Sequence, residues 1–277
     1  MEYSLSDVSS REKKYFPKRH KQDCFFSFKN KIMKVIFLAA GKSRRIFNKI
    51  GKNKCLLEID QKTLIERSID EINKTKIKDI TIVLGFKQKL IKKSLKNFQN
   101  LKFIVNKKYN TREMLYSLIF ALKKYNSDII FIYTDIIFSH RTINKIIKSK
   151  KKYITLPILT NWKKIWKIRN KNPYTDAETL EINNLFQLKS IGKKITNLNK
   201  VKNQFMGITF IPKSKRKNVL NFYKNLKEKN KLHLTSFLNL LIKKRNKIFC
   251  IKTNDKWYEF DDYSDFLNYK KYYKKKG

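Results

Sequence analysis

The chain has 277 residues, 41% hydrophobic and 32% charged, with 66 Lys and Arg against 22 Asp and Glu for a formal net charge of +44. That length supports one large domain with a real core, or two small ones. No run approaches the ~20 uninterrupted apolar residues of a membrane helix, no apolar signal core opens the chain, and Cys24, Cys55 and Cys250 are scattered without metal-ligand spacing. A cytoplasmic protein with reduced thiols is expected.

A charge of this size invites a nucleic-acid reading, because basic surfaces attract phosphate backbones. Only 10 of the basic residues are Arg, and the lysines are spread over the whole chain among many Asn and Ile. Lys, Asn and Ile share AT-rich codons, so codon bias is the favoured account of the excess and no specific nucleic-acid partner is expected, with a basic nucleic-acid-binding protein as the alternative from another class. The excess would still draw in small anionic substrates.

Residues 1–31 are polar and lack periodicity, which predicts a flexible basic extension ahead of a folded unit at 32–277. The apolar run Val35-Ile36-Phe37-Leu38 then predicts a strand buried on both faces. A polar loop follows, then a helix over 63–73, a strand over 80–84 closed by Gly85, a helix over 88–98 and a strand over 103–105. A helix over 112–124 and an apolar strand over 129–133 complete the first half. Further on, strands are expected over 153–158, 205–211 and 248–251, and helices over 215–227 and 234–243. Alternating strands and amphipathic helices imply βαβ crossovers: a Rossmann-like, three-layer α/β/α arrangement around a mostly parallel mixed sheet. The region around 155–210 reads as a substrate-binding insertion. Sites in such sheets lie beyond the carboxyl ends of the strands.

Two places carry chemistry. Leu38-Ala39-Ala40-Gly41-Lys42-Ser43-Arg44-Arg45 leaves the first strand with small residues and ends in cations, and backbone amides in such a turn cradle phosphate oxygens. Arg45 can fork onto a polyphosphate, and Lys54 follows downstream. A solvated loop, basic because the whole chain is basic, is the competing reading. Carboxylates at strand ends are the second place: Asp135 after Phe131-Ile132-Tyr133-Thr134, and Asp261 after Trp257-Tyr258-Glu259-Phe260. Either can instead be a turn or helix-cap residue.

These segments resemble nucleotidyltransferases of the sugar-phosphate and phosphocholine cytidylyltransferase type, whose pattern is L-A-A-G-x-G-x-R-L followed by P-K. Leu38-Ala39-Ala40-Gly41, Arg45 and Lys54 match it, while Ser43 replaces the second Gly and Asn53 the Pro. Thr134-Asp135-Ile136-Ile137-Phe138 is similar to G-D-I-V-F, and Trp257-Tyr258-Glu259-Phe260-Asp261 to W-x-E-V-D, with Asp265 matching a later acid. From Trp162 to Ile191 the order of Trp166, Arg169, Pro173, Asp176 and Glu178 is similar to that in transferases associated with phosphoenolpyruvate mutase, which make nucleotide-activated phosphonates.

The resemblance implies a GT-A-like nucleotidyltransferase fold and transfer of a nucleoside monophosphate, CMP from CTP, to a small phosphonate or phosphorylated acceptor. A sugar-1-phosphate or phosphocholine acceptor is the alternative. It further implies Mg2+ on Asp135 and Asp261, and catalysis by Lys54, Arg45 and Asp135. Nucleotide would contact Leu38 to Ser43, Arg45, Lys54, Gly85 and Ser117; acceptor would contact Asn106, Tyr116, Arg169 and Glu178. Arg169 would fork onto a phosphonate, and Asp176 or Glu178 would receive an ammonium group. Trp162 and Trp166 are open to two readings, facing a cation or packing in the core.

Overall fold

The computed structural model describes residues 33–149, 152–169 and 171–274, so the expected extension at 1–31 lies outside the described residues. In chain order, β1 (Met33–Ala39) leads into α1 (Arg44–Ile50), β2 (Glu58–Ile59), β3 (Lys62–Thr63), α2 (Leu64–Asn73) and β4 (Asp79–Leu84). Next come α3 (Gln88–Ser94), β5 (Leu101–Val105), α4 (Met114–Lys124), β6 (Asp128–Tyr133), β7 (Ile136–Phe138) and α5 (His140–Lys148). The second half runs β8 (Ile154–Leu159), α6 (Trp162–Arg169), α7 (Pro173–Asp176), β9 (Glu178–Ile182), β10 (Leu188–Lys194), β11 (Gln204–Phe205) and β12 (Ile208–Ile211). It closes with α8 (Lys213–Lys224), α9 (Leu234–Lys243), β13 (Ile248–Thr253), β14 (Trp257–Glu259) and α10 (Tyr263–Lys274).

Eight strands make one sheet in the order β11-β8-β12-β6-β1-β4-β5, with β13 also on β8. Neighbours β6-β1-β4-β5 and β13-β8 are parallel, while β12 runs antiparallel to both β6 and β8. The apolar run of β1 feeds both faces, because successive strand side chains point opposite ways. Val35, Phe37 and Ala39 join one cluster with Ile65, Ile69 and Ile72 of α2; Ile36 and Leu38 join another with Leu115, Leu118 and Leu122 of α4. The fold is thus the three-layer α/β/α arrangement around a mostly parallel mixed sheet. Among the described residues no helix is long and apolar enough to cross a membrane.

Three local features depart from the sequence pattern. The polar stretch after β1 contains α1, whose seven residues carry apolar side chains at Ile46, Phe47 and Ile50 only, too short a run to establish a helical period. The expected strand over 205–211 is two strands, broken at Gly207, whose φ is 72° and where an added Cβ would lie 2.9 Å from the Tyr133 ring. The expected helix over 88–98 stops at Ser94. Within the expected insertion, β9 and β10 form a two-stranded antiparallel sheet of their own, outside the main sheet.

Candidate functional site

Two clefts meet above the carboxyl ends of the strands. The first, about 490 Å3, is bounded by the turn after β1, by Asn53 and Lys54, by Arg112 and Ser117 at the start of α4, and by Asp135. Ser43 sits in the left-handed region at φ 54°, a conformation that disfavours any side chain. A Cβ added to Gly41 meets nothing within 4 Å, so the protein's own packing does not demand glycine there and the space belongs to the cleft. Five cations line this cleft, Lys42, Arg44, Arg45, Lys54 and Arg112, against the carboxylates of Glu113 and Asp135.

Lys54 stands between two carboxylates. Its Nζ donates to Asp135 Oδ2 at 3.2 Å and to Asp261 Oδ1 at 2.9 Å, and Arg45 pairs with the other oxygen of Asp261. Asp135 and Asp261 are 126 positions apart in the chain but are brought together by backbone pairing. β14 runs antiparallel to β7, Glu259 opposite Ile136 and Trp257 opposite Phe138, and the Phe260 amide donates to the Asp135 carbonyl at 2.9 Å. The two strand-end acids therefore emerge side by side. Asp262, not Asp261, caps α10, its Oδ1 accepting from the Ser264 amide at 2.9 Å and the Asp265 amide at 3.2 Å. That leaves the Asp261 carboxylate to the cleft.

Asn53, at the position where the resembled pattern has Pro, is buried, and its side-chain amide donates to the Phe86 carbonyl at 3.2 Å, tying the approach to Lys54 onto the chain after β4. The Cys55 thiol in the wall is pushed up to about 12, by burial first and then by Asp135, and is inert.

The second cleft, about 290 Å3, shares Glu113 and Met114 with the first and runs between Tyr133, Trp166, Phe205 and the β9–β10 sheet. Its lining holds five carboxylates, Glu113, Asp176, Glu178, Glu259 and Asp261, with His233 and no Lys or Arg. In a chain with three times as many basic as acidic residues, composition does not produce such a wall. Although Glu178 as a whole is exposed, burial of its carboxyl raises it above the ordinary range, against the pull of Thr235 and His233. Burial pushes Glu259 up to about 7 against the pull of Arg169, with Asp135 adding to the rise and Lys54 opposing it. Residue-by-residue reading assigned no role to Glu259, although it lies inside the W-Y-E-F-D segment; Glu113 carried no signal at all.

Four expected contacts are corrected. Arg169 is 1% exposed, and its guanidinium forks onto Asp265 at 2.9 and 3.2 Å instead of facing an acceptor. Asn106 is buried and spends its amide on Ser117 Oγ at 3.0 Å and its carbonyl on the Lys108 amide at 2.9 Å. Tyr116 packs against the apolar cluster beneath α4 and lines neither cleft. Gly85 lies under the site: a Cβ there would come within 2.6 Å of the Ala40 carbonyl and 2.7 Å of Tyr109, so glycine lets two loops touch. Trp162 and Trp166 are both buried, Trp166 stacking on Trp257 at 6.1 Å. Asp176 is not a helix cap, since Asn172 Oδ1 accepts the Tyr174 amide at the start of α7. Another cleft, about 720 Å3, lies between α2 and the start of α5, but its acids pair with neighbouring bases, Lys62 with Asp70 at 2.7 Å and Lys145 with Asp255 at 2.9 Å.

Residues 35–158 match the model of the MobA-like NTP transferase domain. Over 248 residues the chain is 28% identical to the CTP:phosphoglutamine cytidylyltransferase of Campylobacter jejuni, a match covering 84% of this chain and 97% of the relative. Among solved structures, the inositol-1-phosphate CTP transferase from T. maritima superposes with a TM-score of 0.70 at 17% identity, covering 84% of this chain and 91% of the other. The CTP:phosphocholine cytidylyltransferase from Streptococcus pneumoniae gives 0.67 at 18% identity, covering 87% and 99%. These structural likenesses show a shared fold.

Proposed function

We propose that this chain, whose residues 35–158 match the MobA-like NTP transferase domain, is a nucleotidyltransferase that transfers CMP from CTP to a small phosphorylated or phosphonate acceptor that also bears an ammonium group, releasing pyrophosphate. The observation that carries this reading is Lys54 held between Asp135 and Asp261 at the mouth of a cationic turn.

An acceptor phosphate oxygen attacks the α-phosphorus in line and pyrophosphate leaves. The second phosphate ionisation lies near ~6, so the acceptor is already a dianion in large part at neutral pH and needs no general base. Catalysis is then positioning and electrostatics. Lys54 neutralises the α-phosphate, and Arg45 with the amides of the turn holds the outer phosphates.

Asp135 and Asp261 fit a magnesium ion, because both already reach one cationic nitrogen, and magnesium takes one or two carboxylates with phosphate oxygens and water. Among the described residues no three His, Cys, Asp or Glu side chains gather as a metal cage, so the other ligands would be phosphate and water. When bound, the ion supplies positive charge to phosphate oxygens on which negative charge builds.

The acidic second cleft supports the ammonium. Asp176 and Glu259 already share Arg169, and Asp261 already holds Lys54 and Arg45, but the cleft lining offers a purely anionic acceptor no Lys or Arg, whereas an aminated one brings a cation to Glu178 and to the shared acids. The relative that acts on phosphoglutamine supports CTP as donor and a phosphorylated nitrogen compound as acceptor.

The test is pyrophosphate release with CTP, UTP, GTP and ATP, each against 2-aminoethylphosphonate, phosphocholine, phosphoglutamine and glucose-1-phosphate. CTP with an aminated acceptor is expected to lead. Turnover confined to glucose-1-phosphate would overturn the acceptor reading.

A further inference from the structure

Arg169 and Asp265 lie deep beneath both clefts, and no step of the proposed reaction uses them. Arg169 is 1% exposed and Asp265 is fully buried. An ion pair placed so deep loses its hydration and has to be justified by what it holds. The Asp265 carboxylate receives two Arg169 nitrogens at 2.9 and 3.2 Å, and it also accepts the backbone amides of Asp261 at 2.8 Å and Asp262 at 3.1 Å. Asp265 therefore fixes the turn that carries the Asp261 carboxylate. At the other end of the same guanidinium, Nη1 reaches Asp176 at 3.1 Å and Glu259 at 3.5 Å, both lining the acidic cleft. One cation is thus shared by three carboxylates, one under the Asp261 turn and two facing the acceptor.

On the functional reading above, we infer that Arg169 is a positioning residue linking occupancy of the acidic cleft to the placement of Asp261. A cation arriving on Asp176 and Glu259 relieves their demand on the guanidinium, which then belongs to Asp265 and tightens the Asp261 turn. Linkage requires the converse: nucleotide and magnesium gathered around Asp261 strengthen acceptor binding by the same factor.

All three tryptophans of the chain sit in this region, Trp166 under the Arg169 guanidinium at 4.8 Å and edge-on to Trp162 at 5.4 Å, so intrinsic fluorescence reports on it directly. Affinity for the acceptor that the wild type turns over is measured by fluorescence, with and without magnesium and a non-hydrolysable CTP analogue. The wild type is expected to bind acceptor at least about fivefold tighter with nucleotide present. Asp265→Asn and Arg169→Lys, the second keeping the charge but losing the fork, are expected to bring that ratio near one and to lower kcat about tenfold. Asp176→Asn keeps the fork and is expected to lose the ratio while nucleotide affinity holds. A purely structural role would lower the folded fraction and leave the ratio untouched, and an unchanged ratio in any folded variant of the three overturns the inference. A wild type that turns over none of the acceptors overturns the functional reading instead and takes this inference with it.

Discussion

The two clefts share a wall at Glu113 and Met114 yet carry opposite charge: five cations line one, five carboxylates and no Lys or Arg the other. The cationic cleft follows the chain's overall bias, and taken alone it would say little. The acidic cleft runs against that bias, so it is the more informative of the two about the substrate. On the proposed function they divide the labour, polyphosphate on one side and an aminated acceptor on the other, with Lys54, Asp135 and Asp261 on the border.

The border is where the largest effect is expected. Lys54→Ala and Asp135→Asn are each expected to lower kcat by ~10²–10³, the range for losing one fixed charge aimed at a transition state, while circular dichroism and melting temperature stay near wild type. Near-normal turnover in either variant would remove that residue from the mechanism. Next come the sides of the border, separately. Arg45→Gln is expected to raise the KM for CTP by about tenfold with acceptor KM unchanged, since hydrogen bonds to charged groups are worth roughly 1.5–3 kcal/mol. Glu178→Gln is expected to do the reverse more weakly, about threefold on acceptor KM alone, because Glu178 is exposed and solvent screens it. If each variant moved both KM values together, the division between the clefts would be lost.

Two smaller predictions concern the cationic turn itself. Ser43 holds a left-handed φ of 54°. Ser43→Gly is therefore expected to stabilise the fold by ~0.5–1 kcal/mol, read from urea unfolding, with little change in turnover. Cys55 lies in the same wall with its thiol pushed up to about 12. Iodoacetamide at pH 8 is therefore expected to leave activity unchanged, with mass spectrometry showing Cys55 unmodified.

What could be read from sequence alone was what is local. The strands β1, β4 and β6 are largely apolar runs, and the turn after β1 and Asp135 each directly follow one, while Lys54 was picked out by the resembled P-K pattern. Placing the turn and Asp135 needs only the rule that sites lie at strand carboxyl ends. Arg169 and Asn106 were misread because a charged or amide side chain beside a motif does not reveal its partner. The Arg169 partner, Asp265, is 96 positions away, and only the β7–β14 pairing and α10 bring it near. Helix α1 was missed for a plainer reason: seven residues with three apolar ones are too short a run to establish a period. Glu113 and Glu259 become notable only when the acidic wall is assembled from three separate stretches of chain.

The most direct test of the central claim is phosphorus NMR of CTP and an aminated phosphorylated acceptor incubated with the enzyme and magnesium. The account predicts loss of the triphosphate resonances with equal growth of pyrophosphate and of a CMP–acceptor diphosphate or phosphonyl-phosphate bridge, absent with Lys54→Ala. Release of free CMP without any bridged product, or equal product from wild type and Lys54→Ala, would contradict it.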